Sequence, residues 1–129
     1  MNSPAHDTAL YLADAGVTGA FGVGVFVGRE PLTPVDVVTC YDTGGAPGPL
    51  IDLRTPTVQG RGRADDDSAG WYLANLIHDT LTRPVDVAVP GGAILGWTPN
   101  AEVAFIGRDD NDRALFTVNF EIIRDSAVA

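Results

Sequence analysis

The sequence predicts an α+β fold in which a mostly antiparallel β-sheet packs against two α-helices, with one long loop rich in Gly and Pro. Only two segments have the period of an amphipathic helix, one near the N-terminus and one in the middle of the chain. The other apolar segments are short, β-branched or alternating, and the last four fall into two hairpin-like pairs. This order of elements is typical of an α+β architecture. Because 129 residues is the usual size of one domain, we treat residues 1–129 as a single domain.

Both helices have recognisable beginnings and ends. Ser3, which is followed by a proline, predicts the start of a short first helix that ends near Gly16. The acidic residues 65–67 supply a cap and negative charge for the second helix, which we expect from about Asp66 to Leu81. Its buried side is expected to consist of Ala69, Tyr72, Leu73, Leu76, Ile77, Thr80 and Leu81.

Strands are predicted where side chains alternate or β-branched residues cluster. The expected strands are residues 21–27, 35–41, 57–63, 85–89, 93–98, 103–107 and 115–124. The last strand carries an apolar side chain at every second position from Phe116 to Ile122, which predicts one buried and one exposed face. Residues 44–56 are too rich in Gly and Pro for regular structure, so we expect a long loop there, and loops of such length are often functional.

Composition and charge exclude several classes of function. Eight basic residues stand against seventeen acidic ones, and the net charge of −9 argues against non-specific binding to nucleic acid or to an anionic membrane. All the basic residues are Arg, which excludes Schiff-base lysines and lysine-based phosphate loops. The single Cys and the two His have no partners at ligand spacing, so no metal or cofactor is expected. Neither a membrane-spanning segment nor a secretory signal is predicted.

The triplet Asp42-Thr43-Gly44 offers an enzymatic interpretation. It follows an apolar strand and resembles the signature of retroviral-type aspartic proteases, in which two copies bring two carboxylates together. Residues 105–107 could form the apolar-apolar-Gly segment of such an enzyme. However, a helix is predicted over 66–81, where a protease of this size has a β flap. The alternative is a structural turn, in which Asp42 caps backbone N–H groups and the glycines adopt positive φ.

Other side chains suggest a surface for protein contacts. Trp71 points away from the predicted buried side of the second helix, and Asn75 and His78 lie near it. An exposed Trp is typical of contact surfaces, although the N-terminal segment or the 44–56 loop could equally cover it. Arg61 and Arg63 form a polar stripe that either pairs with carboxylates of a neighbouring copy or is simply solvated. The candidate interface is therefore Trp71, Asn75, His78, Arg61, Arg63 and, from the loop, Leu50, Ile51 and Leu53.

Five stretches of the chain, taken in order, resemble the minor capsid proteins of long-tailed bacteriophages, a group related to tail terminators and tail-completion proteins. The stretches are residues 38–45, 56–59 with the Arg61/Arg63 strand that follows, 69–74, 107–113 and 116–120. The sequence departs from that group at Gly60 and Gly62, where bulky apolar residues are usual, so the packing of this strand is expected to be thin. In this interpretation the Asp42 triplet is a structural turn.

The resemblance implies a non-catalytic function in the virion neck, at the top of the tail. Such proteins form a ring, commonly a hexamer, that stops growth of the tail tube and docks to the head connector. The partners would be further copies of the chain, the tail tube protein and the connector proteins, with assembly in the host cytoplasm. DNA would pass through an acidic lumen without sequence-specific binding. A generic acidic interaction module, unrelated to phage, is the further alternative.

Overall fold

A computed structural model describes residues 2–45, 53–83, 87–89 and 92–125 of the chain. The described residues form two helices and eight strands, which confirms the predicted α+β class. In chain order these are α1 (Pro4–Asp14), β1 (Val25–Val27), β2 (Val37–Gly44), β3 (Leu53–Arg54), β4 (Thr57–Ala64), α2 (Asp67–Leu81), β5 (Val87–Val89), β6 (Gly92–Pro99), β7 (Ala104–Arg108) and β8 (Ala114–Asp125).

The twelve-residue strand β8 is the centre of the sheet. The sheet order is β1-β2-β4-β8-β6-β5, and β3 and β7 also pair with β8. All of these pairings are antiparallel except that of β1 with β2. The apolar residues from Phe116 to Ile122 are buried on one face of β8, as their alternation predicted. The buried side chains on this face of the sheet form one continuous core with those of the two helices.

Two predicted segments differ from the structure. The strand expected over 21–27 is confined to Val25–Val27, because residues 21–24 form a turn in which the N–H groups of Val23 and Gly24 both donate to the carbonyl of Ala20. Gly22 adopts a φ of +82° in that turn, a conformation that an alternating pattern cannot reveal. The prediction of no regular structure over 44–56 was wrong at Leu53–Arg54, which extends the sheet beside the end of β8. Residues 46–52 of that predicted loop lie outside the described residues.

Helix α2 approaches the sheet closely at three glycines, Gly60 and Gly62 in β4 and Gly70 in the helix itself. This close approach explains why β4 has Gly where bulky apolar residues are usual. A Cβ at Gly62 would be 3.4 Å from Leu73, and one at Gly60 would be 3.7 Å from Ile77, so these two helix side chains fill the space above β4. On the helix itself, a Cβ at Gly70 would lie only 2.6 Å from the ring of Phe116. The core is therefore not thin at β4, because the helix approaches closely instead.

This close approach also corrects the predicted buried side of α2. The buried residues are Gly70, Leu73, Ala74, Ile77 and Leu81, whereas Ala69 and Tyr72 are exposed. The prediction placed the side of the helix with the most large apolar side chains against the sheet. In the structure, the side that faces the sheet also contains Gly70 and Ala74, because small residues allow the helix to approach closely. The helix limits agree with the prediction to within one residue, since Asp66 is the N-cap and its side chain accepts from the N–H of Ala69.

The first helix lies over β1 and β2 and is held by polar contacts as well as by apolar packing. Its side chains Ala5, Ala9 and Leu12 face the sheet and are fully buried. Asp7, also buried, accepts a hydrogen bond from Arg124 of β8 at 2.5 Å. None of the helices in the described ranges combines the length and the apolar character that crossing a bilayer requires.

Candidate functional site

An exposed group of aromatic rings lies where α2 meets the edge strand β7. Trp71 and Phe105 are 53 % and 50 % exposed, and both contact Phe116, which is buried beneath them. The Trp71 and Phe116 ring centroids are 6.0 Å apart and those of Phe105 and Phe116 are 5.3 Å apart, each with an interplanar angle of 63°. Edge-to-face pairs of this kind stabilise a fixed arrangement of the rings. We refer to Trp71, Phe105 and Phe116 as the aromatic surface.

The position of Trp71 follows from that of Gly70. Because Gly70 lets the helix descend onto Phe116, the next residue is placed beside the buried row of the helix rather than opposite to it. The sequence left open whether Trp71 is exposed or covered by its own chain, and the structure shows it 53 % exposed. Its predicted direction, away from the core, was wrong, because its ring lies beside that of buried Phe116. Phe105 was not among the predicted contact residues. Its exposure could not be inferred, since a strand at the sheet edge has the same alternation as one in the interior.

Asn75 and His78 continue from Trp71 along the same side of α2. Asn75 donates a hydrogen bond from Nδ2 to the carbonyl of Trp71 at 2.9 Å, and the ring of His78 lies 5.9 Å from that of Phe120. Both side chains are half-buried. The structure therefore brings three of the sequence-predicted residues together in one row, in which Asn75 and His78 make contacts within the chain and Trp71 is the most exposed.

Charged side chains border the aromatic surface at the start of α2. Arg108, at the end of β7, pairs with Asp67 at 2.5 Å and lies 3.7 Å from Asp112. These ion pairs join the first turn of α2 to the turn between β7 and β8. Each ion pair is exposed and contributes at most about 1 kcal/mol to the free energy of unfolding. The pairs therefore mark the charged border of the aromatic surface but add little to the stability of the fold.

The polar stripe of β4 is divided between two environments. Arg61 is half-exposed, 3.9 Å from Glu30 and above the ring of Tyr41. Arg63, by contrast, is 2 % exposed, so the expectation that it lies on a solvated or intermolecular face was wrong. Its guanidinium donates to the backbone carbonyls of four residues, Pro31, Leu32, Pro34 and Val35. Burial lowers the pKa of Arg63, and nearby Arg113 lowers it further.

Three of the predicted contact residues belong to the segment 44–56. Leu50 and Ile51 lie outside the described residues. The backbone of Leu53 pairs with Asp125 at the end of β8, so this residue belongs to the sheet.

Asp42 has a structural position at the end of β2. Its Oδ1 accepts a hydrogen bond of 2.8 Å from the N–H of Ala5, in the first turn of α1. Gly44 and Gly45 adopt φ values of +85° and +98° where β2 ends, next to a β-bulge between Asp42 and Gly44 in its pairing with β4. The capping role of Asp42 and the positive φ values agree with the structural interpretation, but the triplet forms the end of a strand and not a turn. Within the described ranges, no three His, Cys, Asp or Glu side chains lie close enough together to hold a metal ion.

Two comparisons with known proteins bear on the function. No curated protein matches the chain. A protein-family model described as "Bacteriophage tail terminator protein" matches residues 9–126, which is nearly the whole sequence.

Proposed function

The chain belongs to the bacteriophage tail terminator family, and we propose that its subunits form a ring that caps the tail tube and joins it to the head. As a member of this family it is a structural protein of the phage tail and a component of the virion. The family match over residues 9–126 is the observation that carries the proposal. It also supports partners among the other tail and head proteins of the phage.

The aromatic surface supplies a contact candidate for such a partner. Half-exposed Trp and Phe rings that rest on a buried Phe are costly to leave in water, and Trp is among the residues that contribute most to protein interfaces. The rings are fixed by each other and by Gly70, so little conformational entropy is lost when a partner covers them. We assign this surface to the contact with the tail tube or the head connector.

A ring of identical subunits, which we take to be a hexamer, requires heterologous contacts, in which one patch of each subunit meets a different patch of the next. Among the described strands, β5 pairs only with β6 and β7 only with β8, so each has one side available for a further strand. With a net charge of −9 on each copy, the lumen would be acidic and would let DNA pass without binding it.

Polymerisation of the tail tube protein with and without this chain tests the proposal. We expect electron microscopy to show shorter tubes in its presence, each with additional ring-shaped density at one end. A tail terminator of an unrelated phage, added at the same concentration, is the control for specificity. Tubes of unchanged length with bare ends would contradict the proposed function.

A further inference from the structure

An apolar cleft lies on the helix side of the sheet, on the side of α2 away from the aromatic surface. It has a volume of about 350 Å³ and lies between α2 and the segment that follows α1. Leu73 forms the buried floor, and Tyr72, 71 % exposed, stands at the rim. The lining residues are Val17, Thr18, Asp36, Ala64, Ala69, Tyr72, Leu73 and Leu76.

The lining of the cleft favours an apolar side chain over a small polar ligand. Pockets for small molecules combine apolar walls with several convergent polar groups that fix the ligand's orientation. Here the hydroxyl of Thr18 already donates to the carbonyl of Gly24 at 2.7 Å. Asp36 and Tyr72 are the other lining residues with polar side-chain groups. The volume is at the lower end of the range for ligand pockets, about 300–1,000 Å³, and suits one or two side chains.

A fixed apolar projection lies on the opposite face of the same sheet. Leu32, in the segment between β1 and β2, is 68 % exposed. Two buried guanidiniums hold this segment through its backbone: Arg63 donates to four of its carbonyls, and Nη1 of Arg113 donates to the carbonyl of Leu32 at 2.6 Å. Arg113 is itself held by Asp109, at 2.7 Å. The exposed side chain of Leu32 is therefore presented on a backbone that is already ordered, which lowers the cost of binding.

The projection and the cleft cannot be two halves of one symmetric patch. Gly62 faces Leu73 under the cleft, and the next residue of β4, Arg63, extends to the other face and holds the projection. A contact between a projection on one face and a cleft on the other is heterologous, because it joins two different patches. When two subunits associate in this way, one still has an empty cleft and the other an unused projection. Further subunits can therefore add until a ring closes.

The charges beside the two patches are also complementary. Arg29, three residues before Leu32, is exposed and forms no ion pair with any residue in the described ranges. Asp36 is among the residues that line the cleft, and Asp65 follows the lining residue Ala64. A second copy of this acidic chain would therefore bring one of its few available cations towards an acidic rim.

We propose that Leu32 of one subunit inserts into the cleft of the next subunit, against Tyr72 and Leu76. The contact rests on the proposed ring function and identifies one of its subunit interfaces. It is separate from the aromatic surface, which stays available for the tube or the connector.

Cysteine cross-linking between two differently tagged preparations tests the contact. One preparation carries Leu32→Cys and the other Tyr72→Cys, so that only a contact between copies can join the two tags. Burial raises the pKa of the native Cys40 thiol to about 12 and leaves it inaccessible, so it need not be removed. The matched control replaces Leu32→Cys by Val23→Cys, because Val23 is 63 % exposed but lies in the turn before β1. The reaction is followed in solution and on tail tubes.

We expect a mixed-tag dimer from Leu32→Cys with Tyr72→Cys, at least tenfold more abundant than from Val23→Cys with Tyr72→Cys. Leu32→Asp should weaken self-association by tenfold or more, whereas Val23→Asp should not. Rings that form normally while the two cross-linking yields are equal would overturn the Leu32 contact and leave the proposed function standing. Wild-type protein that stays monomeric both in solution and on tubes would overturn the ring and the contact together.

Discussion

Asp42 Oδ1 accepts a hydrogen bond of 2.8 Å from the N–H of Ala5, which links the end of β2 to the first turn of α1 across 37 positions of sequence. Ser3 caps the same helix by accepting from the N–H of His6 at 3.2 Å. The helix N-terminus therefore has one cap from its own segment and one from the sheet. The second of these fixes the position of α1 over β1 and β2, so the aspartate that resembles a catalytic residue contributes to the fold.

Replacing Asp42 with Ala removes the cap that comes from the sheet. We expect Asp42→Ala to lower the free energy of unfolding by about 1 kcal/mol, the usual contribution of a capping side chain. Asp42→Asn keeps an oxygen acceptor for the Ala5 N–H and should cost less. Urea unfolding measures both values. Equal destabilisation by the two variants would show that the charge, rather than the hydrogen bond, holds the helix.

Adding a methyl group at Gly70 tests the close approach of α2 to the sheet. Gly70→Ala should destabilise the protein by up to about 2 kcal/mol, because the new Cβ would lie 2.6 Å from the Phe116 ring and such overpacking costs about 1–3 kcal/mol. The roughly 1 kcal/mol that Ala gains over Gly in a helix offsets part of that cost. Gly96→Ala is the control, since no atom lies within 4 Å of a Cβ there. A stabilised Gly70→Ala protein would contradict the described packing.

The same glycine shows how far the sequence could predict this structure. Capping residues, turn residues and alternation gave the helix limits, the hairpins and the buried face of β8, because these features depend on near neighbours in sequence. The rotation of α2 depends on which residue meets Phe116, a contact between distant segments that periodicity does not contain. The buried position of Arg63 has the same origin, since the carbonyls it binds belong to the segment 31–35.

The candidate site was predictable to a similar extent. Trp71, Asn75 and His78 could be grouped because helix geometry places them in one row. Phe105 and the projection at Leu32 could not be found, since a side chain's exposure at a sheet edge or in a loop depends on what packs beside it. Tyr72 was expected in the core and is instead 71 % exposed at the rim of the cleft, again because the helix is rotated.

Incubation with a peptide library near pH 5 tests the proposed absence of proteolysis. We expect no difference between wild type and Asp42→Asn, because the Asp42 carboxylate accepts a backbone hydrogen bond as a cap. Mass spectrometry of the peptides measures any cleavage. Cleavage by wild type that Asp42→Asn abolishes would restore the protease interpretation, provided that both proteins unfold at the same urea concentration.

The buried pair Asp7 and Arg124 should be among the most sensitive polar contacts. Both residues are 3 % exposed, and Asp7 also accepts from Asn2 Nδ2 at 3.2 Å. Asp7→Asn or Arg124→Met leaves the remaining group buried without its counter-ion, at a cost of about 3–5 kcal/mol. The double variant should lose much less than the sum of the two single variants. A double-mutant cycle measured by urea unfolding checks this, and additive losses would contradict the coupling.

Trp71→Ala separates the folding function of the aromatic surface from its proposed contact function. Because the Trp71 side chain is 53 % exposed and lies outside the buried row of α2, its removal should lower the free energy of unfolding by only about 1 kcal/mol. Attachment to tail tubes or to the connector should fall by tenfold or more, as for a Trp at the centre of an interface. Leu95→Ala, which removes an apolar side chain that is 43 % exposed on β6, is the matched control. Attachment is measured by co-sedimentation with tubes and by electron microscopy. If Trp71→Ala attaches as well as Leu95→Ala, the aromatic surface is not the docking surface.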